Sequence, residues 1–427
     1  MRNLLLILCG FGVLPIQQAA LAVTFDASYA ITSADADTNS DTLVDVTGLS
    51  VTLPSYSGDV LMISSYSANK KNNSDELTAR HQLDANGSPV GIERDRHIIK
   101  SSAAAGAGAA IGVVNVSSGG SMTLQHAKST GDKPGLSTLS HSTLTAIPLT
   151  SGGKTLSHAY TSSTDTVTSN VEEVAKTTAL NVANIHGGTA EVFIMATFET
   201  VSSGTSNASW QLEYRTAETG LWEVAGNASS RKLDTNQGVA AVTALADLDA
   251  AGDYEFRLTQ SLVSGDNFST LDVDLVALSL SIDADTYLQS YEQYTVGSTG
   301  ATLDLAVSED MDVFVAASVT ATSTSSTTGE YQLFLDGGTT SSIVAGSTRE
   351  VDTGDVGSVA LTGVYSLLAS DTNTLTLQTD DADLTFGTDG NNVVGFGLTA
   401  VPEPSQYTLI FCVLTFAVVL RRRRPNR

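Results

Sequence analysis

From residue 23 to about residue 400, apolar and polar residues alternate along the chain. In Trp210-Gln211-Leu212-Glu213-Tyr214-Arg215 every second side chain is apolar. In Asp253–Thr259, Tyr254, Phe256 and Leu258 are separated by Glu255, Arg257 and Thr259. A period of two puts one face on a core and the other in water, which predicts strands. The gaps between these runs are rich in Gly, Ser, Asn and Asp, the residues that turns require. Helix is predicted only in two short stretches, Asn170–Thr178 and Val242–Ala251.

The pattern repeats. Gly58-Asp59-Val60-Leu61-Met62-Ile63, Ala190-Glu191-Val192-Phe193-Ile194-Met195 and Met311-Asp312-Val313-Phe314-Val315-Ala316 are one phrase written three times. The spacing, about 120 to 130 residues, is that of a whole domain. An alternating strand precedes each phrase, and a second one follows it, containing His81-Gln82-Leu83, Trp210-Gln211-Leu212 or Tyr331-Gln332-Leu333. An arginine-bearing segment then carries Arg94, Arg231 or Arg349, and an apolar strand closes each copy. Seven or eight short strands per copy without intervening helices predict an all-β chain of three tandem antiparallel β-sandwiches. A jelly-roll form is favoured, with an immunoglobulin-like topology as its rival. The expected domains are residues 23–150, 151–283 and 284–400. Their short junctions predict a stiff rod of self-sufficient domains.

Composition narrows the picture. The net charge is −25, and Arg2, Arg421 to Arg424 and Arg427 lie at the extremities, so the middle is more acidic still. Such a surface repels nucleic acid and suits divalent cations or neutral polymers. The two cysteines, Cys9 and Cys412, also lie in the end segments, so no disulfide or reactive thiol serves the body.

The ends read as export signals. Arg2, the apolar run Leu4–Ile16 and the small residues Ala20 and Ala22 make residues 1–22 a signal peptide with Val23 as first mature residue. At the other end, residues 401–427 begin with Val401-Pro402-Glu403-Pro404-Ser405. A charge-free apolar segment, 407–420, follows, and then Arg421, Arg422, Arg423 and Arg424. The arginines hold their side of the segment in the cytoplasm. A transmembrane helix of this length reaches about 21 Å, short of a hydrocarbon core of about 30 Å. Pro-Glu-Pro, a short apolar helix and an arginine cluster in this order resemble the PEP-CTERM sorting signal. That resemblance covers the tail alone. It implies processing by an exosortase-type enzyme in bacteria that make exopolysaccharide, with a membrane-anchored precursor passing to the cell surface or extracellular matrix.

Chemistry is sparse. None of His81, His97, His126, His141, His158 and His186 has metal-ligand spacing, and they read as surface or turn residues. There is no nucleophile elbow, and no copy carries an insertion that would mark one active site. Catalytic residues are therefore not assigned. Gly106-Ala107-Gly108 reads as a loop or a small-residue strand edge. Asp35, Asp37, Asn39 and Asp41 alternate as calcium ligands do, but Ser40 and Val46 stand where such a loop needs Gly and Glu. Calcium is thus a candidate cofactor. Trp210 is predicted in the core. Trp222, beside a turn, is the candidate platform for a sugar ring. The expected role is structural or adhesive, in an exopolysaccharide layer. An array of carbohydrate-binding modules and a secreted polysaccharide hydrolase are the alternatives.

Overall fold

The computed structural model describes residues 23–402, apart from 72–76, 99–104, 130–135, 170–172, 183–189, 217–219, 234–237, 249–251, 284–285, 297–299, 308, 324–328, 337–340, 344–346, 352–356, 370–372 and 381–383. Among the described residues all regular structure is β. Strand β1 (Val23–Thr24) precedes the first sandwich. That sandwich comprises β2 (Ser28–Thr32), β3 (Ala36–Thr38), β4 (Val44–Leu53), β5 (Gly58–Lys71), β6 (Leu77–Ala85), β7 (Ser88–Ile98), β8 (Ala105–Val116), β9 (Gly120–Lys128) and β10 (Leu136–Pro148). A hairpin of β11 (Thr150–Ser151) and β12 (Lys154–Thr155) leads into the second. Its strands are β13 (His158–Ser163), β14 (Val167–Ser169), β15 (Glu173–Val182), β16 (Ala190–Ser202), β17 (Ser206–Thr216), β18 (Glu223–Leu233), β19 (Gly238–Leu248), β20 (Gly252–Gly265) and β21 (Phe268–Ser279). β22 (Ser281–Asp283) joins it to the third. There follow β23 (Thr286–Thr295), β24 (Thr302–Leu305), β25 (Met311–Ser323), β26 (Gly329–Asp336), β27 (Ser341–Ile343), β28 (Arg349–Val351), β29 (Gly357–Leu367), β30 (Asn373–Thr379) and β31 (Leu384–Pro402).

Each sandwich has the same antiparallel wiring. In the first, one sheet runs β2-β10-β5-β8 and the other β4-β9-β6-β7. The second repeats this as β13-β21-β16-β19 over β15-β20-β17-β18, and the third as β23-β31-β25-β29 over β24-β30-β26-β27. From β4, β15 and β24 onward the chain crosses between the sheets, except where β7, β18, and β27 with β28, pair back on β6, β17 and β26, and the first and last main strands pair. This order matches a jelly roll rather than an immunoglobulin-like sandwich. Between the sheets of each lies its own core, for example Val192, Ile194, Phe198, Trp210 and Phe256 in the second.

Both predicted helices are strands instead. Residues 173–178 fall in β15, and Val242–Leu248 is the end of β19. Val242, Ala244, Ala246 and Leu248 face the core of the second sandwich, while Ala241 and Leu245 face a different core. A strand buried on both faces shows no alternation, so its apolar run mimics a buried helix.

That second core overturns the rod. Leu61, Phe193 and Phe314, the equivalent residue of each repeated phrase, are fully buried in one shared cluster. Ile63, Met195 and Ala316 join them, as do Ile147, Leu278 and Phe396 from the closing strands. Phe193, Phe314 and Phe396 pack with ring centroids 5.3 to 5.9 Å apart. Strands β8, β19 and β29 also meet one another. The sandwiches therefore pack side by side around a threefold-like axis. The alternate residues of the phrase serve the separate cores, and the residues between them serve the shared one.

The ring has a direction. Strand β7 of the first sandwich packs on β19 and β21 of the second; β18 of the second packs on β31 and β25 of the third; β28 of the third packs on β8 and β5 of the first. A bulge prepares each docking face. His141 (φ 45°), Asp272 (φ 51°) and Gly390 (φ 120°) occupy the same left-handed step of β10, β21 and β31. Bulges re-aim the residues beside them. Two positions on, Thr143, Asp274 and Asn392 all bond to the preceding sandwich. Asp274 accepts from Arg94 Nη2 and from Ile92 N (3.1 Å), while Arg94 Nη2 also donates to Thr197 O and Oγ1 (3.1 and 3.0 Å). Asn392 accepts from Asn227 N and donates to Asn227 O, both at 2.9 Å. Thr143 Oγ1 bonds Thr362 Oγ1 at 2.9 Å and accepts from Arg349 Nη2 at 3.4 Å.

The three arginines are thereby re-aligned. Arg94 lies opposite His81 and Arg349 opposite Tyr331, but Ser229 lies opposite Trp210. Ser229 is the equivalent position, and Arg231 is two residues further on, where its Nη1 donates to Val239 O at 2.7 Å. Small residues make the close approach possible. A Cβ on Gly108 would meet the Tyr66 ring at 2.5 Å, and one on Gly112 would meet Val90 at 2.7 Å. The glycine-rich run is thus the tightly covered strand β8.

The corners repeat as well. Leu156 N donates to Leu149 O (2.9 Å), Leu288 N to Leu280 O (2.7 Å), and Phe25 N to Leu398 O (2.7 Å). The first two contacts close hairpins that link one sandwich to the next. The first hairpin turns on Gly152 and Gly153 (φ 56° and 78°), the left-handed pair a two-residue turn needs. The third has no peptide link: β1 pairs with β31, Val23 opposite Ala400 and Thr24 opposite Thr399. The first strand thus completes the ring against the last.

Candidate functional site

Two histidines expected at the surface are in the core. His81 and His126 lie directly opposite each other on β6 and β9, and both are buried. Tyr66 covers His81 with ring centroids 4.3 Å apart. The second sandwich has Phe198, Trp210 and Gln260 at these positions. Burial pushes His126 down to about 4, with only Asp37 opposing. An unfolded histidine takes up its proton near pH 6.5. Between that value and about 4 the unfolded chain binds more protons, so stability falls as pH falls through the window. The loss reaches about 3 kcal/mol. The raised carboxyl groups act in the opposite direction over this window, so the histidine's contribution is read as a difference. Between pH 7.5 and 4.5 the stability of His126→Leu relative to the wild type should rise by about that amount in denaturant titrations. An unchanged pH slope in the variant would refute this role.

A second cluster has the perturbed acids expected of an active site. Burial raises Glu199 to about 8, against the lowering effects of the Asp95 amide and Arg94. It likewise raises Asp272 and Asp274, with Arg94 lowering both. Tyr160 O–H donates to Asp274 Oδ1 at 2.6 Å and is itself pushed up by burial. The geometry is that of a joint. Glu199 accepts from the backbone N of Asp95 on the neighbouring sandwich, and Glu199 and Asp272 share a hydrogen bond. A glycosidase holds its two carboxyl groups about 5 Å or more apart across an open cleft; here Glu199 and Asp272 share a hydrogen bond and Asp274 is paired with Arg94.

The outer sheet of the second sandwich carries the most distinctive surface. Glu213 and Arg215 on β17 face Arg257 and Glu255 on β20. Arg215 Nε donates to Glu255 and Arg257 Nε to Glu213, each at 2.6 Å. The four charges cancel in pairs. Trp222 lies over this ladder, its ring centroid 4.5 Å from the Arg215 guanidinium and 3.9 Å from that of Arg257. Beside it Leu221 is 88% and Val224 60% exposed. Cation–π contact with two arginines holds the half-buried indole over the sheet. The segment carrying Trp222 joins β17 to β18. In the first sandwich the corresponding β6–β7 link is the two-residue turn Asn86-Gly87. The third copy is longer here too, since Tyr331 pairs with Arg349 much as Trp210 pairs with Ser229, whereas His81 pairs with the nearer Arg94; length alone does not single out one copy. Trp210 is fully buried, and its Nε1 donates to Thr270 Oγ1 at 2.8 Å.

The other candidates separate. Asp35, Asp37 and Asn39 are exposed along and around β3, with Asp37 accepting from Thr138 Oγ1 at 2.7 Å. Asp41 lies past the strand, its carbonyl accepting from Arg80 at 3.2 Å. Among the described residues no three His, Cys, Asp or Glu side chains are placed to hold a metal, and no helix is long and apolar enough to cross a membrane. Of the tail, Val401 and Pro402 end β31. Glu403, Pro404, Ser405, the segment 407–420 and Arg421 to Arg424 lie outside the described residues, as do Ala20 and Ala22.

No protein-family model matches the chain, and no curated protein matches it. Among solved structures it is similar to the N-terminal tandem CBM22 domain of Paenibacillus barcinonensis Xyn10C, at 7% identity, over 57% of this chain and 93% of that one, with a TM-score of 0.17. A protein of Sulfolobus Turreted Icosahedral Virus matches at 13% identity over 84% and 91%, TM-score 0.19. A Paenibacillus xanthan lyase matches at 12% identity over 86% and 39%, TM-score 0.17. Scores this low transfer no function.

Proposed function

We propose that the chain is an exported, non-catalytic protein of the cell surface or extracellular matrix, sorted through its PEP-CTERM-like tail. Its role in the exopolysaccharide layer is structural and adhesive. The observation that carries this reading is the β1–β31 pair. Val23, the expected first mature residue, pairs with Ala400, directly before the Val401-Pro402-Glu403-Pro404 motif. The first and last strands of the described body thus meet at one corner, which supports removal of a leader and a tail there without disturbing a sandwich. Fractionation of cells carrying a tagged chain, with and without the sorting enzyme, tests it. The tail should be lost only when the enzyme is present; a cytosolic product with both ends intact would refute the reading.

Adhesion is assigned to the Trp222 face. A flat indole beside a charge-neutral ladder of donors and acceptors suits the apolar face and hydroxyl rim of a neutral sugar. It does not select an ion, and the acidic body repels polyanions. Titrating the folded body against neutral polysaccharides should give saturable binding that Trp222→Ala weakens by about tenfold or more, the loss of about 1.4 kcal/mol. Equal affinity in the variant would remove Trp222 from the site.

A further inference from the structure

We infer that the seam between the third and first sandwiches is also an interface between molecules, and that its partner is a second copy of this chain. The three contacts of the ring are of one kind, head to tail. A head-to-tail contact does not limit itself; it makes a ring if the rotation closes and an open filament if it does not. Two of the contacts are tethered by the hairpin corners. The third is held on the chain's own first sandwich by side chains and by the short β1 ladder alone.

The seam is a complete docking surface. Ser65 Oγ accepts from Thr362 N at 3.1 Å, bonds Thr362 Oγ1 at 2.7 Å, and accepts from Arg349 Nη2. Arg349 Nη1 donates to His141 O at the bulge. Phe25, fully buried in the shared core, anchors β1 beneath this seam. The first sandwich of a second molecule presents the same groups. When the first sandwich swings out on the β11–β12 corner it leaves both of its seams; it then seats between the second and third sandwiches of the next molecule, and the place it vacated repeats the offer. The competition is set by concentration. Intramolecular closure acts at an effective concentration on the order of mM, so dilute chains close on themselves and crowded chains link.

The test is to unfold and refold the body, residues 23–402, at about 1 μM and at the highest attainable concentration, toward the mM range where linking competes. Mass is then read by light scattering on a sizing column. Monomer is expected from the first and a ladder of dimers and larger species from the second. In the T24C/T399C double variant, oxidation makes the third corner covalent. Those positions face each other beside the hydrogen-bonded Phe25–Leu398 pair, a spacing that accepts a disulfide. The oxidised variant should stay monomeric at high concentration, and reduction should restore the ladder. Phe25→Ala, which loosens the strap, should raise the oligomer fraction. Monomer throughout in the unstapled body, or a ladder that survives oxidation, overturns the inference. Neither result bears on export or on Trp222.

Discussion

Phe193→Ala, a substitution inside the second sandwich, is expected to lower the stability of all three together. Large aromatic truncations in a core cost about 3–5 kcal/mol. In a rod that cost would fall on one domain, and calorimetry would separate its transition from the others. Here the phenylalanine is buried with Leu61 of the first sandwich and Phe314 of the third. No sandwich can unfold without exposing the shared face of its neighbours, at about 25 cal/mol per Å² of apolar surface. The wild-type body should therefore melt in one cooperative transition, and the variant in one transition at lower temperature. Hydrogen exchange, read strand by strand, should show protection in β5 and β25 falling with that in β16. Three resolved transitions, or a loss of protection confined to β16, would sink the shared core as an energetic unit.

The sequence already carried part of this. Strands buried on one face, such as Trp210–Arg215 and Tyr254–Leu258, announce themselves by alternation, and the repeated phrase announces three copies. The phrase also held the signal that contradicts a rod. Val192-Phe193-Ile194-Met195 is apolar at every position, as are Val60-Leu61-Met62-Ile63 and Val313-Phe314-Val315-Ala316. A strand with one wet face would not be. Read as two interleaved faces, each phrase asks for two cores, and only packing between copies supplies the second. The buried histidine pair was not legible, because His81 stands where its counterparts are Trp210 and Tyr331 and only register puts it opposite His126. The setting of Trp222 was half legible. Its proximity to a turn was plain, but the two arginines that hold it lie on different strands, and cross-strand pairing decides their meeting.

Arg94→Met alone and Asp274→Leu alone should each destabilise the body by about 3–5 kcal/mol, while the double substitution should recover most or all of the loss. The pair is fully buried between the first two sandwiches, both side chains at 0% exposure. Asp274 also accepts from Tyr160 O–H and Ile92 N, so its lone pairs are well used, yet burial still raises its pKa against all three partners. The ion pair thus lies close to the balance between desolvation cost and mutual attraction. Removing one partner leaves the other charge in a dry interface with nothing to offset its lost hydration, whereas an apolar pair needs no hydration. The third and first sandwiches already meet with Thr143 where the second has Asp274, so the ring tolerates a neutral residue there. For a cooperative unit of this length, 3–5 kcal/mol is a shift of about 5 °C, within reach of a thermal melt. The energetics separate two roles for the charges. If the double variant is as unstable as the singles, the pair contributes net stability; if it melts with the wild type, mutual attraction only offsets the desolvation of the two charges, and the seam is held by the apolar face and the remaining hydrogen bonds around them.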